Sequence, residues 1–385
     1  MLTVLQVIPA LETGGAERAT IDIAAALARR GDRALVASAG GRLCEELEQV
    51  GGTHVPVSLG SKNPIRIGTA ALSLAGLVRA ERVDLVHARS RAPAWAAWLS
   101  CRRIGVPFVT TFHGIYSERN RIKHTYNSVM ARGDVVIANS EYTARLIKSR
   151  YGTPDTRVAV IPRGTDLLRF RPESVASERR QALRAAWGLK GNERVVLNLA
   201  RLTGWKGQKV LIAATALLAP SDVTVVLAGD AQGRSQYRQE LEDLIGAHGL
   251  MHRVRLVGHC DDAPAALALA DVAVIASIQP EAFGRTAIEA SAMGVPVVAT
   301  ALGATTETVL APPHCAEGDR TGWLVPPSDA SALASAIASA LALSATERRA
   351  LAVRAKRQAM HFTTEAMQAA TLAVYDRLAI RGGGS

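Results

Sequence analysis

Short runs of Val, Ile and Leu alternate along the chain with longer stretches whose apolar residues recur at helical spacing. This is the pattern of parallel strands buried on both faces and covered by helices. In the first half it predicts strands near 2–8, 33–38, 54–57, 84–87, 107–112, 134–138 and 157–161, with helices between them. After an Arg- and Ala-rich segment at 175–187 the series restarts, with strands near 193–199, 222–228, 253–257, 271–276, 295–299 and 322–325. One architecture is therefore used twice. Pro162 to Pro172, with Pro-Arg-Gly-Thr-Asp after the last strand of the first series, marks the break. The expected organisation is a first α/β/α domain over 1–168, a second over 169–362, and a last helix over 363–380 that returns to the first.

Length agrees with two domains, since 385 residues exceed what one core usually supports. Lys and Arg number 45 against 34 Asp and Glu, and the net charge of +11 calls for an acidic partner: a nucleotide diphosphate, an anionic membrane surface or nucleic acid. Nucleic acid ranks last, because aromatics are only 4% and no finger spacing or aromatic RNA-binding signature occurs. Cys44, Cys101, Cys260 and Cys315 form no C-x-x-C pair, so neither a disulfide framework nor a metal site is expected, and a reducing cytoplasm fits. No apolar run is long enough to span a bilayer, and the stretch Leu2 to Pro9 lacks the basic lead of a signal peptide. The terminal Arg381-Gly-Gly-Gly-Ser385 reads as a tail outside the fold.

Open α/β sheets bind ligands beyond the carboxyl ends of their strands. Four clusters stand there. Glu12-Thr13-Gly14-Gly15-Ala16-Glu17 follows the first strand, where glycine admits close backbone approach and a helix start favours phosphate, although tight-turn chemistry explains paired glycines equally well. His113 ends the apolar strand Thr110-Thr111-Phe112; it either contacts a transferring group or is satisfied by a backbone carbonyl. Arg201-Leu-Thr-Gly-Trp-Lys206-Gly207 places two cations and two glycines between a strand and a helix, suiting a diphosphate leaving group. In Glu281-Ala-Phe-Gly-Arg-Thr-Ala-Ile-Glu289, Gly284 opens a helix. Eight helical rises amount to at most ~12 Å, so one carboxylate can hold sugar hydroxyls and the other a ribose, with a diphosphate between them. Solvated charges are the plain alternative for both of these clusters.

Together these clusters resemble the retaining family-4 glycosyltransferases of GT-B architecture, in which two Rossmann-like α/β/α domains face each other across a cleft. The likeness covers nearly the whole chain, and its most specific element is the E-x7-E pattern from Glu281 to Glu289. It implies that Arg201 and Lys206 bind the donor diphosphate, Glu281 the transferred sugar and Glu289 the ribose. His113 would approach the sugar from the first domain, making His113, Arg201, Lys206 and Glu281 the catalytic set. Gly15 would border the phosphates or the acceptor, Gly258 and His259 the nucleobase, while Phe283, Gly284 and Arg285 would complete the donor site. Members of the family often carry Asn where this chain has Arg163.

The resemblance implies a nucleotide-sugar donor, a glycan or glycolipid acceptor, and no metal or other cofactor. Tyr126 to Asp134 and Ile137 to Ser140 are similar to transferases that build lipopolysaccharide core or other surface polysaccharides. The basic residues Arg119, Arg121, Lys123, His124 and Arg132 suit peripheral contact with an anionic membrane, as well as an ordinary solvated face. Competing readings are another GT-B enzyme such as a nucleotide-sugar epimerase, and a nucleotide-sugar-binding or scaffold protein without turnover. A nicotinamide dehydrogenase would need a G-x-G-x-x-G turn that the chain lacks.

Overall fold

A computed structural model describes residues 1–12, 14–116, 120–191, 193–219 and 222–382. Thr13 of the first cluster, Arg119 of the basic stretch and the tail residues 383–385 lie outside the described residues. The chain divides into two compact units, one formed by Met1–Gly164 with Thr364–Ser385 and the other by Thr165–Thr363.

In the first unit the strands are β1 (Thr3–Val7), β2 (Arg33–Ser38), β3 (Thr53–Pro56), β4 (Leu85–Ala88), β5 (Phe108–Phe112), β6 (Val135–Ala138) and β7 (Val158–Val160). Among the described residues they form one seven-stranded parallel sheet in the order β3-β2-β1-β4-β5-β6-β7. The second unit contains β8 (Arg194–Leu199), β9 (Val223–Ala228), β10 (Val254–Gly258), β11 (Val272–Ile275), β12 (Val297–Thr300) and β13 (Gly322–Val325). These pair in parallel in the order β10-β9-β8-β11-β12-β13. Every residue of β1, β4, β5, β6, β9, β11 and β12 is buried, which is why these strands read as predominantly apolar runs without a polar/apolar alternation.

Several acidic side chains are tied at the amino ends of the strands. Asp84 accepts from the Thr3 amide, Asp134 from that of Phe108 and Asp271 from that of Val195, each at 2.7–2.8 Å. These carboxylates lie at the opposite end of the sheets from the clusters singled out above, whose cations they therefore do not neutralise.

The last helix, Thr364–Gly382, packs within the first unit. Met367, Val374, Tyr375 and Leu378 join Val4, Leu85, Val109 and Ile137 in its core. The buried Tyr375 hydroxyl lies 2.6 Å from Nδ1 of His87, on β4. Among the described residues no single helix is long and apolar enough to cross a membrane.

Candidate functional site

In the second unit, β8 and β11 are neighbours, and the order of strands reverses between them. That position is the topological switch point of a doubly wound sheet, where a crevice opens at the carboxyl ends. The loops after β8 and β11 meet there. The sequence places a helix start near Lys206, but Gly204–Lys206 is a 3-10 turn and the helix proper is Gln208–Leu217. Gly207 separates them with φ +70°, and a Cβ on it would overlap the Ala276 carbonyl beyond β11. The Ile278 amide donates to the Trp205 carbonyl at 2.8 Å, locking the two loops together.

This junction brings Lys206 onto Glu281. Nζ donates to Oε1 at 2.5 Å, Ser277 Oγ donates to the same oxygen at 2.5 Å, and Nζ lies 4.3 Å from the Trp205 ring centroid. Glu281 is 7% exposed, and its backbone bridges Gly303, which has φ +74°. A carboxylate so buried requires a cation, and Lys206 supplies it.

Gly284, at φ +82°, caps helix Arg285–Ala292 without a side-chain hydrogen bond, so no side chain covers the first-turn amides, which form the positive end of the helix dipole. Thr286 Oγ1 lies 3.4 Å from the Leu199 carbonyl, which seats that turn beside the end of β8. Glu289 is buried and accepts from Arg285 Nη2 at 2.8 Å. Arg201 is exposed, held by one long contact to Gln232 at 3.4 Å, and is thus available to a ligand. Gly258 ends β10 with φ +76°, and the exposed His259 lies 2.9 Å from Asp261. Phe283 requires a correction. It is 3% exposed, edge-on to Phe362 at 5.5 Å, so its side chain belongs to the core rather than to a donor. A large apolar ring gains more from burial than a place among polar groups would return.

His113 and Gly15 lie in the first unit. His113 Nδ1 is 3.2 Å from Arg163 Nη2, so its partner is a guanidinium and not the backbone carbonyl of the plain alternative. Because a guanidinium only donates, Nδ1 accepts and the ring proton sits on Nε2. Nε2 is buried and has no hydrogen-bond partner among the described residues. The same guanidinium covers Gly15, where any Cβ would collide with it. Sequence reasoning passed over Arg89, which directly follows β4 and is 4% exposed. The signal was present, since Arg89 is a polar residue at a strand's carboxyl end as His113 is.

Burial, then Arg163 and Arg89, hold the His113 pKa well below its usual value; burial, then Arg89 and His113, do the same to His87. Both rings stay neutral in the fold but take up a proton in the unfolded chain below about pH 6.5. The unfolded state then binds more protons, so stability is full above that pH and falls as pH drops through it. The expected slope is up to about 1.4 kcal/mol per pH unit for each histidine. Urea unfolding between pH 7.5 and 5.5 measures it, and a flat profile in that window would contradict the neutral state of the two rings.

Two family models divide the chain: Glycosyltransferase Family 4 matches residues 13–169 and Glycosyl transferases group 1 matches 179–358. The D-inositol 3-phosphate glycosyltransferase of Xylanimonas cellulosilytica is 30% identical over 395 residues, covering 94% of this chain and 92% of that protein. The chain belongs to the family-4 glycosyltransferases. The protein of the same name from Salinispora tropica is 34% identical over 257 residues, which span 60% of this chain and 53% of that relative. The crystal structure of a glycosyltransferase from Rickettsia africae superposes with a TM-score of 0.89 at 32% identity, covering 98% of each chain. HepE of Anabaena, solved with UDP and glucose, gives 0.82 at 28% identity, covering 98% of this chain and 100% of that one. Both units of this family-4 glycosyltransferase are thus the parallel α/β domains of the GT-B class.

Proposed function

We propose that this family-4 glycosyltransferase moves a hexosyl group from a nucleoside-diphosphate sugar to a hydroxyl of a glycan or glycolipid acceptor, with retention and without a metal ion. The observation that carries the reading is the Lys206–Glu281 pair at the switch point of the second sheet, 2.5 Å apart with Arg201 on the same loop as Lys206. A bound diphosphate shares the charge of Lys206 and takes the guanidinium of Arg201, which offsets the negative charge that grows on the leaving group. Relieved of part of that pairing, Glu281 accepts hydrogen bonds from sugar hydroxyls, while Glu289 takes the ribose beside the amino end of helix Arg285–Ala292. Each carboxylate is already held by a cation, so neither is offered as a nucleophile. Retention then follows if the departing diphosphate itself deprotonates the acceptor on the face it leaves.

UDP is the first nucleotide to test, since HepE was solved with UDP and with UDP-glucose. We assign the acceptor to surface-polysaccharide assembly, such as lipopolysaccharide core, with the enzyme at the cytoplasmic face of the membrane. Support for the membrane placement comes from Ile122, 80% exposed between Arg121 and Lys123, beside a largely apolar groove of about 550 Å³ lined by Ile67, Trp95, Leu99 and Tyr126. Apolar side chains flanked by cations suit an anionic bilayer surface.

Thermal unfolding in EDTA against a panel of nucleoside diphosphates and their sugars tests the donor site. UDP and one UDP-sugar should stabilise the fold by about 2.7 kcal/mol at a hundred times Kd. No shift with any nucleotide, or dependence on an added divalent ion, would overturn the reading. Proton NMR of the product should show the donor's anomeric configuration kept, and an inverted product would remove the proposed mechanism.

A further inference from the structure

Helices Pro64–Ala80, Arg91–Ile104 and Arg121–Asn127 follow β3, β4 and β5 of the first sheet. Together they carry Arg66, Arg79, Arg91, Arg102, Arg103, Arg121 and Lys123, and no Asp or Glu. They also turn large apolar side chains to solvent. Ile65 and Leu72, 77% and 63% exposed, stand seven residues apart and so share one side of their helix, while Leu99 and Ile122 are exposed on the other two. The charge fits an acidic counterpart. A second copy of the same face would set cation against cation, which argues against self-association here.

The groove of about 550 Å³ lies among these helices. Ile67 and Trp95, both partly buried, line it together with the exposed Leu99 and Ile122, and Lys62 and Arg121 add two cations. Ile67 and Trp95 fall in the first two turns of helices that leave the carboxyl ends of strands, so the groove lies toward the rim where open α/β sheets bind ligands. Trp95 has one polar atom, Nε1, and it already donates to the Tyr126 carbonyl at 3.0 Å. The indole therefore offers an occupant only apolar surface. A glycan needs hydrogen-bonding partners for its hydroxyls, which this lining supplies poorly, whereas a hydrocarbon needs none. Shape adds a second condition. A flat bilayer surface meets protruding side chains such as Ile65 and Ile122 but cannot fill a concave groove, and a single extended chain can.

We propose that this groove binds one hydrocarbon chain drawn from an anionic bilayer lipid, with Lys62 and Arg121 facing its head group. The chain site follows from the first unit alone; the bilayer as its source rests on the membrane placement proposed above. A chain so held anchors the protein by apolar burial, which salt does not screen, in addition to the attraction of the surface cations, which it does.

The test titrates the full chain, without vesicles, with 12-bromododecanoate below its critical micelle concentration and follows tryptophan fluorescence, which bromine quenches on contact. Wild type should show saturable quenching whose amplitude falls in Trp95→Phe. The shorter 6-bromohexanoate should bind at least about tenfold more weakly, because it buries fewer methylenes. Leu99→Gln and Ile122→Ser replace side chains that are already exposed, so their unfolding midpoints should stay close to wild type while affinity for the long chain falls by about tenfold. Val353→Ser, at an exposed apolar position of the second unit, is the control and should leave that affinity unchanged. Co-sedimentation with vesicles of phosphatidylcholine and phosphatidylglycerol tests the source: capture should persist in part at high salt and fall in Leu99→Gln. No saturable binding of the long chain, equal binding of the short one, or unchanged affinity in both groove variants would overturn the chain site. Vesicle capture that survived such a result would leave the membrane placement standing on charge alone. Chain binding without capture by vesicles would overturn the bilayer as the source, and the membrane placement with it.

Discussion

Replacing Lys206 by methionine is expected to lower kcat by about 10²–10³-fold, the range seen when one preorganised donor to a developing anion is removed. The sequence alone suggests that such a change leaves the fold untouched. The structure says otherwise, because Nζ is the cation paired with the buried Glu281 at 2.5 Å. Removing it leaves the carboxylate with Ser277 as its one side-chain donor among the described residues, at a loss of about 2–4 kcal/mol, somewhat below that for a fully buried pair because Lys206 is partly exposed. The stability and catalytic roles separate in the double variant Lys206→Met/Glu281→Gln. A neutral amide in place of the carboxylate should restore most of the urea midpoint and none of the turnover. Turnover that recovers together with the midpoint would mean that Lys206 acts through stability and has no role at the diphosphate.

Gly207→Ala is expected to be the most destabilising single change at the site, by at least about 4 kcal/mol. Two effects add. The left-handed backbone, φ +70°, disfavours any side chain by about 1–2 kcal/mol. The new methyl would also overlap the Ala276 carbonyl, a backbone atom that cannot rotate away, so the loops after β8 and β11 must part. Gly152→Ala is the control: φ is +62° but no heavy atom lies within 4 Å of a Cβ there, leaving the backbone term alone. Equal urea midpoints for the two variants would show that the loop junction yields more readily than its packing implies. Lys206 leads directly into this junction, so Gly207→Ala should abolish activity even where the protein still folds.

The sequence by itself determined what local pattern can carry. Strands buried on both faces leave near-continuous apolar runs, and VTVVLA at Val223–Ala228 is legible as a strand for that reason. Glu281, Gly284 and Glu289 were legible as a loop and the first turns of one helix, since their relation is set by helical rise within nine residues. The tertiary structure decided what depends on distant partners. Lys206 meets Glu281 across 75 residues and His87 meets Tyr375 across 288, through strand order and the return of the last helix. Phe283 looks like part of the loop that binds, yet the helix start turns it toward Phe362. Arg89 is marked in the sequence only by its place at a strand's carboxyl end, and nothing local tells that it will be buried there. Its burial at the β1/β4 switch point exists only once the sheet has assembled, because periodicity records which face a residue takes and not which neighbours that face will meet.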